Sequence, residues 1–245
     1  MRALAEYERA VGLMDTGLND CAIARALGVP RETIREWRHQ RHGARDLARR
    51  RRGCPICDGS AMGANTYAYL FGLYLGDGCL SLHRRKVYRL RVTLDARYRH
   101  IIDECAHAMA AVSGGRRVGR QPKQGCVDVW AYWKHWPCVF PQHGRGHKHL
   151  RSIELAAWQR AITQSQPASL LRGLIQSDGA RTANKVRGVV YPRYEFKNLS
   201  SDILRLFCQA CDDYGVSFTR PSEHTVSIAR TDDVLKLDLV IGSKT

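Results

Sequence analysis

Two aspartates 101 residues apart (178 − 77) stand in matching contexts, Leu70-Phe71-Gly72-Leu73-Tyr74-Leu75-Gly76-Asp77-Gly78 and Leu171-Arg172-Gly173-Leu174-Ile175-Gln176-Ser177-Asp178-Gly179. Each copy has small residues four apart, Gly72 and Gly76 in one, Gly173 and Ser177 in the other. On a helix such positions share a face, so two helices of this kind can meet almost backbone to backbone. Each predicted helix ends in Asp-Gly, with the glycine expected to leave in a left-handed conformation. Packing the two ends together puts Asp77 and Asp178 side by side at two helix C-termini. A C-terminus is already negative, and neighbouring carboxylates resist joint ionisation. A hard divalent cation with oxygen ligands removes both penalties, and magnesium is the expected one, held by Asp77 and Asp178. A single Asp-Gly would read as a helix-to-strand turn. Two in matched contexts, in a strongly basic chain, favour chemistry.

The elements that must position these carboxylates form two similar halves. The pair resembles the two LAGLIDADG motifs of single-chain homing endonucleases: Leu70, Gly72, Leu73, Asp77 and Gly78 match the first motif, and Leu171, Gly173, Leu174, Ile175, Asp178 and Gly179 the second. Leu75 and Gln176 stand where the first acid of each motif is usual. The resemblance covers roughly Tyr67 to the C-terminus. It implies an α+β fold of two pseudo-twofold αββαββα repeats whose strands form a DNA-binding saddle. It also implies a staggered, metal-dependent double-strand cut with Asp77 and Asp178 catalytic. In intein-borne relatives a catalytic lysine lies in a glycine-led block before the second motif. Lys148, in Gln142-His143-Gly144-Arg145-Gly146-His147-Lys148-His149, is the best match, with Arg151 second and Lys134 a rival. A basic loop touching phosphates is the plainer reading of that block.

Along the repeats, Leu90, Val92 and Leu94 alternate with Arg89, Arg91 and Thr93, which predicts a strand with one apolar and one cationic face. Arg193, Glu195 and Lys197 alternate with Tyr194 and Phe196 in the second repeat. The DNA-facing set is therefore Arg89, Arg91, Thr93, Arg193 and Lys197. Val127 and Val129 are expected inward, Asp128 and Trp130 outward. Helices are predicted over residues 98–112, 202–214 and 232–240.

The N-terminal segment predicts three short helices with a Gly28-Val29-Pro30 turn before the third. It resembles the helix-turn-helix of homeodomain-like and resolvase-type proteins. Ile34 and Trp37 would face a core, leaving Arg31, Thr33, Arg35 and Arg38 for DNA; a small helical bundle with an ordinary charged face is the alternative. The expected organisation is a helix-turn-helix domain over residues 1–43, a basic linker over 44–65, and a two-repeat domain over 66–245. Repeat 1 spans about 66–150 and repeat 2 about 167–245. The linker run Arg49, Arg50, Arg51 and Arg52 could follow phosphates or enter a minor groove.

The formal net charge of +16 over 245 residues points to a polyanionic partner, here double-stranded DNA. No apolar run is long enough to span a bilayer, so a cytoplasmic, nucleoid-associated protein is expected, a monomer with an internal pseudo-dimer. Nine cysteines, scattered through apolar segments, read as mostly reduced and buried. Cys54-Pro55-Ile56-Cys57 is half of a zinc site and needs two more ligands. Cys208 and Cys211 have the same spacing but lie in a helical pattern and read as core; Cys138, His143, His147 and His149 are other donors. A linker remnant with free thiols is the alternative.

No Ser/His/Asp or Cys/His arrangement competes for catalysis. A transcription regulator that uses a LAGLIDADG-like fold without cleavage is the rival reading, and an RNA-splicing maturase the third. A major-groove helix suits duplex DNA and counts against the maturase.

Overall fold

The computed structural model describes residues 4–39 and 53–242, in two compact units that divide between Arg52 and Gly53. The linker arginines Arg49 to Arg52 lie outside the described residues.

In the first unit, α1 (Leu4–Asp15) and α2 (Asp20–Leu27) precede a third helix, α3, over residues 31–39. The Asn19 side chain accepts from the Ala22 N–H at 2.9 Å and so caps α2. Gly28 closes α2 at φ 66°, a left-handed position natural to glycine. Ala10, Met14, Ile23, Val29 and Ile34 form the core, with Trp37 packed against it. Tyr7 meets the Trp37 ring edge-on at 5.5 Å.

The second unit begins with a one-turn helix, α4 (Pro55–Asp58). Two copies of one element order follow. The first runs α5 (Ala64–Asp77), β1 (Gly78–His83), β2 (Val87–Asp95), α6 (Arg99–Val112), β3 (Val118–Lys123), β4 (Cys126–Trp133) and α7 (Trp136–Val139). After α8 (Ala157–Ser165), the second runs α9 (Pro167–Asp178), β5 (Gly179–Val186), β6 (Val189–Lys197), α10 (Ser201–Tyr214), β7 (Thr219–Ser222), β8 (Thr225–Ile228) and α11 (Thr231–Ile241). The sheets have matching antiparallel orders, β1-β2-β4-β3 and β5-β6-β8-β7. The αββαββα repeat expected from sequence is therefore present twice. Residues 53–65, expected as linker, belong to this unit, because Cys54 is fully buried in its core.

The core lies between the sheets and around α5 and α9. Leu90, Val92 and Leu94 of β2 and Tyr194 and Phe196 of β6 are buried, as the alternation predicts. Helix α5 buries every residue from Tyr67 to Leu75, because α9 packs on it where it is narrowest. A Cβ on Gly72 would stand 2.7 Å from both the Leu170 carbonyl oxygen and the Leu174 nitrogen. A Cβ on Gly173 would strike the Tyr69 carbonyl oxygen.

The glycines after the aspartates correct one expectation. Gly78 (φ −82°) and Gly179 (φ −96°) leave their helices extended, not left-handed. They are needed for closeness instead: each strand doubles back over its own helix, so a Cβ would meet Tyr74 Cα at 2.5 Å in one copy and Ile175 Cα at 2.7 Å in the other.

Candidate active site and nucleic-acid interface

The crossing of α5 and α9 brings the last turns of the two helices together. A Cβ on Gly76 would touch the Ser177 side chain and stand 3.1 Å from Asp178 Cγ, so the Asp178 carboxyl group lies against the last turn of α5. Asp77, the next residue, is exposed, whereas Asp178 is half-buried. The Asn198 side-chain amide donates to Asp178 Oδ2 at 2.7 Å.

Lys148 completes the group. Its Nζ donates to the Gly76 carbonyl oxygen at 2.7 Å and lies 5.3 Å from the centre of the Tyr74 ring. Burial pushes this ammonium from 10.5 down to about 8, against the pull of the Asp178 and Asp77 carboxylates. Its loop is anchored at both ends. Gln142 Nε2 donates to Glu154 O at 2.7 Å and to Gln159 Oε1 at 2.6 Å, and Gln159 Nε2 donates to the Tyr67 hydroxyl at 2.7 Å. The Ile153 N–H donates to Asp202 Oδ2 at 2.8 Å. Between these anchors Arg151 Nη1 donates to Gly144 O at 2.7 Å and Gly146 O at 3.1 Å, folding the glycine-led block on itself. Lys148 is thus the basic residue beside the carboxylates; Arg151 braces its loop, and Lys134 lies exposed beside α7.

Asp178, Lys148, Tyr74, Gly76, Lys197 and Asn198 line a cleft of about 630 Å³. Asp178 in the cleft and Asp77 at the end of α5 offer carboxylate oxygens, hard ligands of the kind that magnesium accepts. The residues therefore fit a divalent cation.

The strand faces above the cleft are cationic but anchored. The Arg89 guanidinium lies 5.2 Å from the Trp130 ring centre. Asp128, expected outward, is on that face yet buried, because Lys123 Nζ (2.6 Å), Thr93 Oγ1 (2.7 Å) and Arg91 (3.9 Å) close over it. Burial opposes its ionisation, but the hydrogen bonds from Lys123 and Thr93 and the nearby cations hold its carboxyl below the usual range. In the second sheet Arg193 and Lys197 flank Glu195 at 3.9 and 3.7 Å. The strand registers Gly78↔Val92 and Gly179↔Phe196 make Arg89 and Arg193 equivalent, and among the described residues the Nε of each lacks a hydrogen-bond partner.

In the first unit Arg31 and Arg35 are exposed, Thr33 is half-buried, and Arg35 pairs loosely with Glu32 at 3.6 Å. Arg38 is turned inward: its Nε meets Asp20 Oδ1 at 2.6 Å and its Nη2 donates to Leu18 O at 2.8 Å. Those bonds hold α3 to α2 and withdraw Arg38 from the set expected to face DNA.

One further cluster lies elsewhere. Cys54, Cys57, His135 and Cys138 bring their ligand atoms within 4.8 Å of one another. Cys208 and Cys211 are in α10 as the helical pattern predicts, with Cys211 in the core. His135 is not among the zinc donors expected from sequence, although the Cys54-x-x-Cys57 and His135-x-x-Cys138 spacings are both present there. Asn198 carries no sequence signal for its place beside Asp178.

No protein-family model matches the sequence, and no curated protein does. Among solved structures, the chain is similar to the homing endonuclease I-DmoI in complex with DNA and Mn, at 15% identity over 74% of this chain and 99% of that one, with a TM-score of 0.49. It is also similar to the N-terminal LAGLIDADG domain of DUF199/WhiA, at 14% identity over 79% of this chain and 88% of that one, with a TM-score of 0.45. Likeness at this level concerns the fold, and the chemistry rests on the geometry above. No helix among the described residues is long and apolar enough to cross a membrane.

Proposed function

We propose that this chain binds double-stranded DNA across its two sheets and hydrolyses a phosphodiester in each strand beside Asp77 and Asp178. The observation that carries the reading is the meeting of the α5 and α9 ends, with Lys148 half-buried and within electrostatic reach of both carboxylates. Magnesium, held by Asp77 and Asp178, would supply charge neutralisation on the phosphate and a more acidic water. The chain's own residues do the rest. Asn198 orients the Asp178 carboxylate through its amide. Lys148, fixed by the Gly76 carbonyl, offers an amine near the working pH that takes a proton from water or returns one to the leaving oxygen. Arg89, Arg91, Arg193 and Lys197 neutralise backbone phosphates on the sheets, and Arg31, Thr33 and Arg35 offer a second contact through α3.

The second reading, a DNA-binding regulator that does not cut, draws on the two motif positions lacking a first acid. Leu75 is buried, and Gln176 is locked by the Tyr69 hydroxyl at 2.7 Å and the Ile241 carbonyl at 2.9 Å. The test uses a duplex selected by the protein from a randomised library. Wild type should cut both strands in magnesium, and Asp77→Asn or Asp178→Asn should abolish that cutting while binding as well or tighter, because repulsion against phosphate is lost. A wild type that binds the duplex yet leaves it intact in magnesium and manganese selects the regulator.

A further inference from the structure

The second unit holds a thiol cluster for which neither DNA binding nor cleavage has a use. Cys57 Sγ lies 3.6 Å from Cys138 Sγ and 3.5 Å from His135 Nδ1, and Cys138 Sγ is 3.6 Å from the same nitrogen. Cys54 completes the four. Tetrahedral zinc, with Zn–S of about 2.3 Å and Zn–N of about 2.0–2.1 Å, sets its ligands roughly 3.5–3.8 Å apart. The observed separations match that spacing, and a disulfide would need sulfurs about 2.05 Å apart.

The backbone prepares the positions. Cys54 and Cys57 flank one turn: the Cys57 N–H donates to Cys54 O at 2.9 Å, and Asp58 Oδ2 accepts from the Gly53 and Cys54 N–H groups at 2.5 and 3.2 Å. Across from it, the Cys138 N–H donates to His135 O at 2.9 Å, so His135 and Cys138 close a matching turn at the start of α7. Cys54 and His135 are buried and Cys57 and Cys138 half-buried, which leaves no open coordination position for a substrate. None of the four lines the cleft that holds Asp178 and Lys148.

We propose that Cys54, Cys57, His135 and Cys138 bind one structural zinc ion that fastens the beginning of the second unit to the connection between its repeats. Three soft thiolates and an imidazole select zinc over magnesium, and the closed tetrahedron gives a structural role. His135 ligates through Nδ1, and each thiol releases its proton as the metal binds. The ion staples α4 to α7. The chain entering at Gly53 is then tied to the segment that leads, past Phe140 and Gln142, into the Lys148 loop.

The inference is independent of the cleavage reading, and its test reads metal rather than activity. Full-length protein purified without added metal should carry one equivalent of zinc by elemental analysis. Exchange for cobalt should give the intense visible bands of tetrahedral cobalt with a thiolate charge-transfer band. Cys138→Ser and His135→Gln should each lose the stoichiometric zinc, while Cys208→Ser, whose cysteine has the same local spacing but lies in α10, should retain it. If a ligand variant does not fold, thiol titration of the wild type decides instead. Zinc release should follow modification of the cluster thiols, read by mass mapping, and chelation should lower the melting temperature. Wild type without stoichiometric zinc, cobalt spectra of an octahedral oxygen site, or a Cys57–Cys138 disulfide in freshly purified protein would overturn the proposal.

Discussion

Lys148 and Asn198 show how single side chains make the two halves of the site unequal. The lysine titrates near 8 when folded and near 10.5 when its burial is lost. Between those values the unfolded chain binds more protons, so stability rises with pH across the window; below it the cost of burying the charge is fully present. The urea midpoint of wild type should therefore gain on that of Lys148→Met as pH rises from about 8 to 10.5. In cleavage assays, the inflection near pH 8 should vanish in the same variant. The Asn198 amide donates to Asp178, while its Oδ1 accepts from the Ser200 N–H at 2.8 Å and so fixes the side chain in place. Asn198→Ala should consequently slow cutting of one strand more than the other and let nicked duplex accumulate, measurable with strand-specific end labels.

Among the elements, the α5–α9 crossing tolerates least. Gly72→Ala forces a Cβ into backbone atoms that no rotamer change can move, and should cost about 1–3 kcal/mol or more in denaturant unfolding of the second unit. Gly12→Ala is the contrast: it lies within α1 with nothing within 4 Å of the new Cβ, and should stabilise the first unit by roughly 0.5–1 kcal/mol. This crossing was legible because glycine spacing records how close two backbones come, and β2 was legible because Leu90, Val92 and Leu94 alternate with polar residues. Helix α8 is absent from the expectations although Trp158, Ala161 and Ile162 keep helical spacing and Trp158 and Ile162 pack against the core; the helix is short, and the residues it buries fully are the polar Gln159 and Thr163. Asp128 was placed on its correct face, but the cations and hydroxyl that bury it come from Lys123, Arg91 and Thr93 on other strands, and pairing across strands is not written in local sequence. His135 was lost for a similar reason: its partners Cys54 and Cys57 lie far away in the chain.

At the scale of the whole molecule, the charge of +16 should make binding strongly dependent on salt. Four phosphate contacts from Arg89, Arg91, Arg193 and Lys197 alone give a slope of about −3.6 in log K against log salt, at ~0.9 per contact. Deleting residues 1–52 should flatten the slope and broaden sequence preference while leaving the second unit folded, because the division falls before Cys54. A fluorescence-anisotropy salt titration of both chains checks this, and equal slopes would remove the N-terminal segment from the interface.

The two sheets share a strand order but not a surface. Where β2 offers Arg91 and Thr93, the same register of β6 offers Glu195 and Lys197. To a protein that binds duplex DNA across such sheets, the two halves of the target are different ligands. It can sit on a duplex with a definite heading, and the best target for it need not read the same in both directions.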